Sequence, residues 1–380
     1  MSKNLFWIFV FFVFTLQGCN SLYLEKIPIR GEKDIPMYAD RSNCLKSFSS
    51  CQPPLDSLWN YDIGAGVGPY PPSFVGDMLF TGNLRGEILI MDVKEGKLLA
   101  KKKIGSSIMG TPIIDGEIIY IALTNSVKSV VAYNFRHNKE LWNVKIGDIE
   151  SSPLLLNSKI YVTELTGNLY CIDAKSGKIE WKYSVSNSKK SLFRSSPATD
   201  GNTLFACSDD GKLFCISQSK EIIWENKIES SIITSPIVCG EDLYLNSTDS
   251  SVYCLGKNDG YIRWGKKVSA KMYGPPVLNE NFLLVGCVDG NVWCLDRKNG
   301  TVIWTKFLGG VFKSSPAIAG SIVYAANLNN KLYALSLDDG KIMYEYKLHG
   351  SIKSDPVVYK NLLFLFVQGR SLMAFQGSIE

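Results

Sequence analysis

From about residue 57 onward, short apolar runs rich in β-branched and aromatic residues alternate with turn residues. In one stretch the runs SPLLL, KIYVTEL, NLYCIDA and KIEWKYSV are separated by Asn157-Ser158, Thr166-Gly167 and Ser176-Gly177. Such runs, bounded by Gly, Asn and Ser, are typical of antiparallel strands joined by hairpins. No stretch after residue 18 shows sustained helical periodicity. The pattern therefore predicts an all-β protein, with four short strands in this stretch.

The same pattern returns at a nearly constant period, marked by a proline that usually follows a small or polar residue. Successive prolines lie 39 to 44 residues apart, at Pro72, Pro112, Pro153, Pro197, Pro236, Pro276, Pro316 and Pro356. Four strands repeated about every 40 residues are typical of β-propeller blades. The sequence predicts an eight-bladed β-propeller of four-stranded antiparallel blades.

An aromatic residue near the end of most repeats gives a second count of the blades. From the second repeat to the seventh it is Trp142, Trp181, Trp224, Trp264, Trp304 and Tyr344. The eighth repeat stops without a fourth strand, whereas Trp59 lies about one period before Ala100, the equivalent residue of the first repeat. We expect residues 57–62 to close the last blade beside residues 372–375, because an open ring leaves a free sheet edge. The propeller is predicted to span residues 57–380.

Composition and charge exclude several classes of function. The net charge of +5 is scattered along the chain, whereas nucleic-acid binding requires a basic stripe. The only histidines, His137 and His349, are too few for a histidine-rich metal site. No nucleophile, base and orienting group occur together, so the sequence predicts a non-catalytic protein without a cofactor.

Cysteines recur in one slot of the third strand, where other repeats have Ile or Ala. They are Cys171, Cys215, Cys254 and Cys294. A slot that also accepts alanine selects for small size, and free cysteine packs as a small buried hydrophobe. We interpret these cysteines as packing residues rather than as a metal or redox site.

The N-terminus predicts export and lipidation. Lys3 precedes the apolar run LFWIFVFFVFT, which is too short to span a membrane and is typical of a signal peptide, here residues 1–18. The segment LQGC, which ends at Cys19, resembles the lipobox of bacterial lipoproteins. That resemblance implies cleavage before Cys19, which then carries the acyl chains, and, with Asn20 next to it, passage to the outer membrane; the alternative is an ordinary signal peptide or a spurious match. We expect residues 19–56 to tether the propeller to the membrane through the acyl chains.

Two cysteines of the predicted tether, Cys44 and Cys51, enclose the stretch LKSFSS. In an oxidising compartment such a pair can close a small disulfide loop. The alternative is two thiols that are free or separately paired.

The repeat resembles that of a known family. Residues 167–181, GNLYCIDAKSGKIEW, are similar to the repeat shared by quinoprotein dehydrogenase propellers and BamB-like lipoproteins, and the resemblance covers residues 57–377. BamB-like proteins carry a lipobox and have eight blades. The quinoprotein enzymes are much longer, and their quinone site has a disulfide between adjacent cysteines, which this sequence lacks.

The resemblance implies a membrane-anchored, non-catalytic scaffold on the periplasmic face of the outer membrane, which assists the assembly of β-barrel proteins. The alternative is a periplasmic or cell-surface lipoprotein propeller that binds a small ligand, either as a sensor or as a quinoprotein-type enzyme.

The longest repeat interval, between Pro153 and Pro197, contains the stretch NSKKSLFRSSP. Its SLFR segment resembles the loop with which BamB-like proteins contact the barrel-assembly protein BamA. The resemblance implies partner binding by Leu192, Phe193 and Arg194; an ordinary exposed loop is the alternative. The family also places acidic residues before the next repeat proline, where this chain has only Glu229.

Overall fold

A computed structural model describes residues 51–185, 192–367 and 370–377 of the protein. Within these ranges the regular elements are β-strands, beginning with β1 (Leu55–Asp62). The first four blades consist of β2 (Ser73–Val75), β3 (Met78–Gly82), β4 (Glu87–Asp92) and β5 (Leu98–Lys103); β6 (Ile113–Asp115), β7 (Ile118–Ala122), β8 (Val130–Asn134) and β9 (Lys139–Val144); β10 (Leu154–Leu156), β11 (Lys159–Glu164), β12 (Asn168–Asp173) and β13 (Ile179–Ser184); and β14 (Ala198–Thr199), β15 (Thr203–Cys207), β16 (Lys212–Ser217) and β17 (Ile222–Lys227).

The remaining strands continue the pattern. They are β18 (Ile237–Cys239), β19 (Asp242–Asn246), β20 (Ser251–Gly256) and β21 (Ile262–Lys267); β22 (Val277–Leu278), β23 (Phe282–Gly286), β24 (Asn291–Asp296) and β25 (Val302–Phe307); β26 (Ala317–Ala319), β27 (Ile322–Ala326), β28 (Lys331–Ser336) and β29 (Ile342–Lys347); and β30 (Val357–Tyr359), β31 (Leu362–Val367) and β32 (Ser371–Gly377). In the described parts of the chain these strands form eight four-stranded antiparallel sheets. The predicted eight-bladed propeller is confirmed.

The last blade combines both ends of the described chain, in the order β30-β31-β32-β1. Strand β1 pairs antiparallel with β32, which places Trp59 opposite Ala374 and Tyr61 opposite Leu372. The ring of Trp59 lies 5.9 Å from that of Phe364 in the same blade. Closure by the N-terminal strand, which the sequence predicted, is confirmed.

The propeller begins earlier than the predicted residue 57. Leu55 is already part of β1, and Cys51 and Leu55 are only 1% and 3% exposed, in a cluster with Phe375. The Tyr324 hydroxyl donates a hydrogen bond to the carbonyl of Cys51 at 2.5 Å. Residues 51–54 precede the fourth strand of the last blade and occupy the position of the turn that joins the third and fourth strands in the other blades. They therefore form part of the interface with blade 7.

Each tryptophan of an outer strand packs against the next blade. Its indole N–H donates to the carbonyl of the first residue after that blade's third strand, at 2.7–3.2 Å, in the pairs Trp59–Val93, Trp142–Ala174, Trp181–Gln218, Trp224–Lys257, Trp264–Arg297 and Trp304–Leu337. Five of these rings also lie against a turn glycine with a φ of +65° to +73°, where an added Cβ would be 2.4–2.7 Å from the ring: Gly96, Gly177, Gly260, Gly300 and Gly340. The turn needs glycine both for its φ and for the ring that covers it.

Inside each blade, a small residue of the third strand faces the aromatic residue. Cys171 lies opposite Trp181, Cys294 opposite Trp304, and Ala132 opposite Trp142. In blade 1 the sizes are exchanged, since Ile90 lies opposite Ala100. The recurring cysteine slot is therefore a matter of volume, as the sequence suggested.

A second set of contacts joins the blades near the axis. The residue before the repeat proline donates its backbone N–H to the side chain at the same position of the next blade: Thr111 to Ser152, Ser152 to Ser196, Ser196 to Ser235, and Ser315 to Asp355, at 2.6–2.9 Å. This explains why a small polar residue so often precedes the proline.

A chain that begins after Ile63 should aggregate or melt at a much lower temperature, because it loses β1, exposes the edge of β32 and leaves the Trp59 site empty. Trp59 is partly buried, so its loss should cost part of the ~3–5 kcal/mol that removal of a fully buried aromatic residue costs, out of a typical free energy of unfolding of ~5–15 kcal/mol. Deletion of residues 20–50 is the control, and it should leave the melting temperature nearly unchanged. Equal melting temperatures for the two truncations would show that β1 does not close the ring.

Gly300→Ala should reveal the strength of one contact between blades. It places a Cβ 2.6 Å from Trp264 at a φ of +70°, whereas Gly320→Ala has a similar φ of +61° and nothing within 4 Å. Both variants bear the backbone strain, so their difference isolates the collision with the ring. We expect Gly300→Ala to lower the free energy of unfolding by ~1–3 kcal/mol more than Gly320→Ala does. Denaturant titration measures this difference, and equal losses would argue against the contact.

Candidate functional site

One residue from each blade lines a cavity of about 450 Å³. In every repeat it is the third residue before the repeat proline: Pro69, Met109, Glu150, Arg194, Ile233, Tyr273, Lys313 and Lys353. Leu84 and Phe366 complete much of the apolar wall. Because all eight blades contribute, the cavity lies on the propeller axis. We call it the channel mouth.

The residue just before each mouth residue is buried from the second blade onward. These residues are Ile108, Ile149, Phe193, Ile232, Met272, Phe312 and Ile352, each at most 1% exposed. The Phe193 ring packs edge-on against Phe214, with ring centroids 6.4 Å apart. Phe193 therefore belongs to the core, which corrects its expected role as a partner anchor: a side chain with no exposed area cannot contact a partner while its blade is folded.

The two neighbours of Phe193 are more accessible. Leu192 is half-buried, and its carbonyl accepts the backbone N–H of Asp209 at 2.8 Å. The Arg194 side chain is 51% exposed, and its Nε lies 3.5 Å from Oδ2 of Asp209. Of the three residues the sequence indicated, Arg194 and part of Leu192 reach the surface, and Arg194 lines the channel mouth.

Asp209 is an acidic residue of this site that sequence reasoning missed. Burial raises the pKa of its carboxyl and Glu150 adds to this, whereas the Arg194 guanidinium lowers it. Its Oδ1 is buried and has no hydrogen-bond partner among the described residues. Asp209 lies in the turn after β15, and in most blades the backbone N–H at this position bonds to the loop that carries the mouth residue. Aligning the repeats by that position would have found it.

The opposite side of the mouth carries lysines around an aromatic ring. Tyr273 is 43% exposed, and the ammonium groups of Lys271 and Lys313 lie 5.6 Å and 5.4 Å from its ring centroid. Lys353 follows on the next blade. The mouth therefore has an Arg–Asp–Glu side on blades 3 and 4 and a lysine side on blades 6 to 8.

Comparison with known proteins decides the family. The PQQ_2 family model, described as outer membrane protein assembly factor BamB, matches residues 56–183, 184–273, 248–311 and 288–378. These matches together extend over all eight blades. The chain belongs to this family.

Individual BamB proteins are distant relatives. The outer membrane protein assembly factor BamB of Legionella pneumophila is 24% identical over 186 residues, which make up 46% of this chain and 47% of that protein. The chain thus spans about half the length of this relative. The crystal structure of BamB from Moraxella catarrhalis superimposes with a TM-score of 0.71 at 16% identity, covering 85% of this chain and 99% of that one.

Enzymes share the fold of the BamB family. A europium-containing methanol dehydrogenase superimposes with a TM-score of 0.67 at 11% identity, covering 82% of this chain and 84% of that one. Fold alone therefore does not decide between a scaffold and an enzyme.

The cysteines of the third strands are poor nucleophiles. Burial raises the thiol pKa to about 11 for Cys171 and Cys215 and to about 12 for Cys254 and Cys294. Since the thiolate is the reactive form, these thiols are protonated and weakly nucleophilic at neutral pH. Among the described residues, no group of three or more His, Cys, Asp or Glu side chains is placed to hold a metal ion.

Several expectations for the N-terminus fall outside the described residues, namely the signal peptide, Cys19 and Cys44. Cys51 is buried and its thiol is free, and burial raises the pKa of that thiol. Because Cys44 lies outside the described residues, its pairing with Cys51 stays a prediction. No helix in the described ranges is long and apolar enough to cross a membrane.

Proposed function

We propose that this BamB-family propeller is a non-catalytic, lipid-anchored scaffold on the periplasmic face of the outer membrane, and that it assists the assembly of β-barrel proteins. The observation that carries the proposal is the match of the BamB family model from residue 56 to residue 378. Relatives named outer membrane protein assembly factor support it. The weakly nucleophilic thiols and the absence of a metal cluster among the described residues are compatible with a binding role.

The proposed partner is a BamA-like barrel-assembly protein, bound on the Arg194 side of the channel mouth. Arg194 presents an exposed guanidinium beside the half-buried Leu192, on a loop fixed by the burial of Phe193. Arginine with apolar neighbours on a rigid support is a frequent anchor of protein interfaces. The carboxylate of Asp209 partly neutralises the positive charge of Arg194 and restricts the orientation of the guanidinium group.

The proposed anchor is Cys19. Residues 1–18 act as the signal peptide, and residues between Cys19 and Cys51 link the acylated end to the propeller, in which Cys51 is buried. Several acyl chains on one residue hold a folded domain at a bilayer firmly.

Arg194→Glu should reduce co-purification of the barrel-assembly protein from solubilised membranes by about tenfold, since truncating an interface anchor typically costs more than ~1 kcal/mol and charge reversal adds repulsion. Arg263→Glu is the matched control: its side chain is also 51% exposed and also pairs with an aspartate, Asp259, but it lies on the outer strand β21. Quantitative mass spectrometry of the captured proteins measures both. Equal capture by the two variants would place the interface elsewhere, and failure of the wild-type protein to capture a barrel-assembly protein would contradict the proposed function.

Cys19→Ser should abolish acylation and move the protein from the membrane fraction to the soluble fraction. Cys44→Ser, a second cysteine of the same N-terminal region, should change neither property. Metabolic labelling with a fatty-acid analogue, followed by fractionation, measures both effects. Undiminished labelling of the Cys19→Ser protein would exclude this anchor.

A further inference from the structure

The two sides of the channel mouth differ in their charge balance. On blades 3 and 4, Arg194 lies beside the carboxylate of Asp209, and Glu150 is close enough to influence that group. On blades 6 to 8, no carboxylate of the described residues lies within 4.0 Å of the ammonium groups of Lys271, Lys313 or Lys353. Lys313 and Lys353 are exposed. This lysine side therefore carries positive charge that the described part of the chain does not neutralise.

A hydroxyl in the same wall also lacks its usual partner. Ser354 lines the mouth next to Lys353, is 1% exposed, and its Oγ has no hydrogen-bond partner among the described residues. At the equivalent position of other blades, Ser195 and Ser314 donate to a carbonyl in their own blade, that of Cys207 and that of Ala326. A buried polar group without a partner costs free energy, and a ligand that reaches it recovers that cost.

The centre of the mouth is apolar. Ile233, Met109, Leu84 and Phe366 contribute to its wall, and the ring of Tyr273 lies between two lysines. Positive charge around apolar surface fits a ligand that combines carboxylates with an aliphatic or aromatic group.

We propose that the lysine side of the channel mouth binds an acidic segment of a polypeptide, with one aromatic or aliphatic side chain inserted between Tyr273 and Ile233. A polypeptide fits better than a small metabolite because the mouth is open: Tyr273 and Leu84 are both 43% exposed. Small-molecule sites typically enclose about 70–90% of their ligand, whereas a half-exposed wall is typical of an interface between proteins.

This proposal does not rest on the barrel-assembly function. The lysines lie on blades 6 to 8, and the residues proposed to contact the barrel-assembly protein lie at the junction of blades 3 and 4. Each site therefore has its own variants, and failure of one leaves the other standing.

The test measures fluorescence anisotropy of a short synthetic peptide, made of Glu and Phe with Ser spacers and carrying a neutral dye, against the purified full-length lipoprotein in detergent. We expect K313Q/K353Q to weaken binding by roughly 2- to 30-fold, from the usual strength of exposed ion pairs. The control K267Q/K347Q removes the same charge from exposed lysines of two outer strands, β21 in blade 5 and β29 in blade 7, and should bind as the wild type does.

Charge reversal separates binding from folding. K313E/K353E should lose the Glu–Phe peptide and bind a Lys–Phe peptide more tightly than the wild type does, a gain that misfolding cannot produce. Equal binding of a Gln–Phe peptide by the wild type, or equal binding by K313Q/K353Q and K267Q/K347Q, would overturn the proposal. Competition by phenylacetate at the same concentration as the peptide would assign the mouth to a small carboxylate and would also overturn it.

Discussion

The structure depends on one repeated contact, in which the outer-strand tryptophan of a blade packs on the hairpin turn of the next. The contact buries a large ring, satisfies the indole N–H with a backbone carbonyl, and fits because the turn residue is glycine. It always points from one blade to the following one. Such a one-directional contact is complete only in a closed ring, which is why Trp59, from the start of the propeller, must supply it to blade 1 at Val93 and Gly96.

The contact differs in the blades where either the outer-strand tryptophan or the turn glycine is replaced. Blade 1 offers Ala100 instead of tryptophan, and Ile90 opposite it fills the volume from the other side. In the blade 4 turn whose Gln218 carbonyl accepts the Trp181 indole N–H, the residue with a positive φ is Lys220 (+78°) rather than glycine. Tyr344 replaces tryptophan where blade 8 has no such turn and residues 51–54 take its place. The residue type thus follows from the neighbour that it must fit.

The period and the aromatic count were enough to predict eight blades and the closure by Trp59, because both are local signals repeated many times. The predicted start of the propeller, residue 57, was too late. Cys51 and Leu55 are buried by residues more than 250 positions away and show no repeat signal of their own. Phe193 was misread because the SLFR stretch was compared with a motif rather than with the other repeats. The two charged sides of the mouth were not predicted, because Glu150, Arg194, Lys313 and Lys353 become parts of one site only when all the blades are arranged around one axis.

Two adjacent residues of each inner loop have different roles, one in the core and one at the channel mouth. The fourth residue before the repeat proline is a buried apolar side chain in seven blades, whereas the third, next to it, varies from Pro69 and Met109 to Glu150 and Lys353. Because adjacent side chains point to opposite sides, the core can be kept constant while the mouth changes freely. The fold is shared with a methanol dehydrogenase, so the fold alone does not specify a function, and variable positions such as these are where propellers of one fold can differ. The uneven charge of this mouth is therefore a property of this chain, and the repeat that builds the blades does not require it.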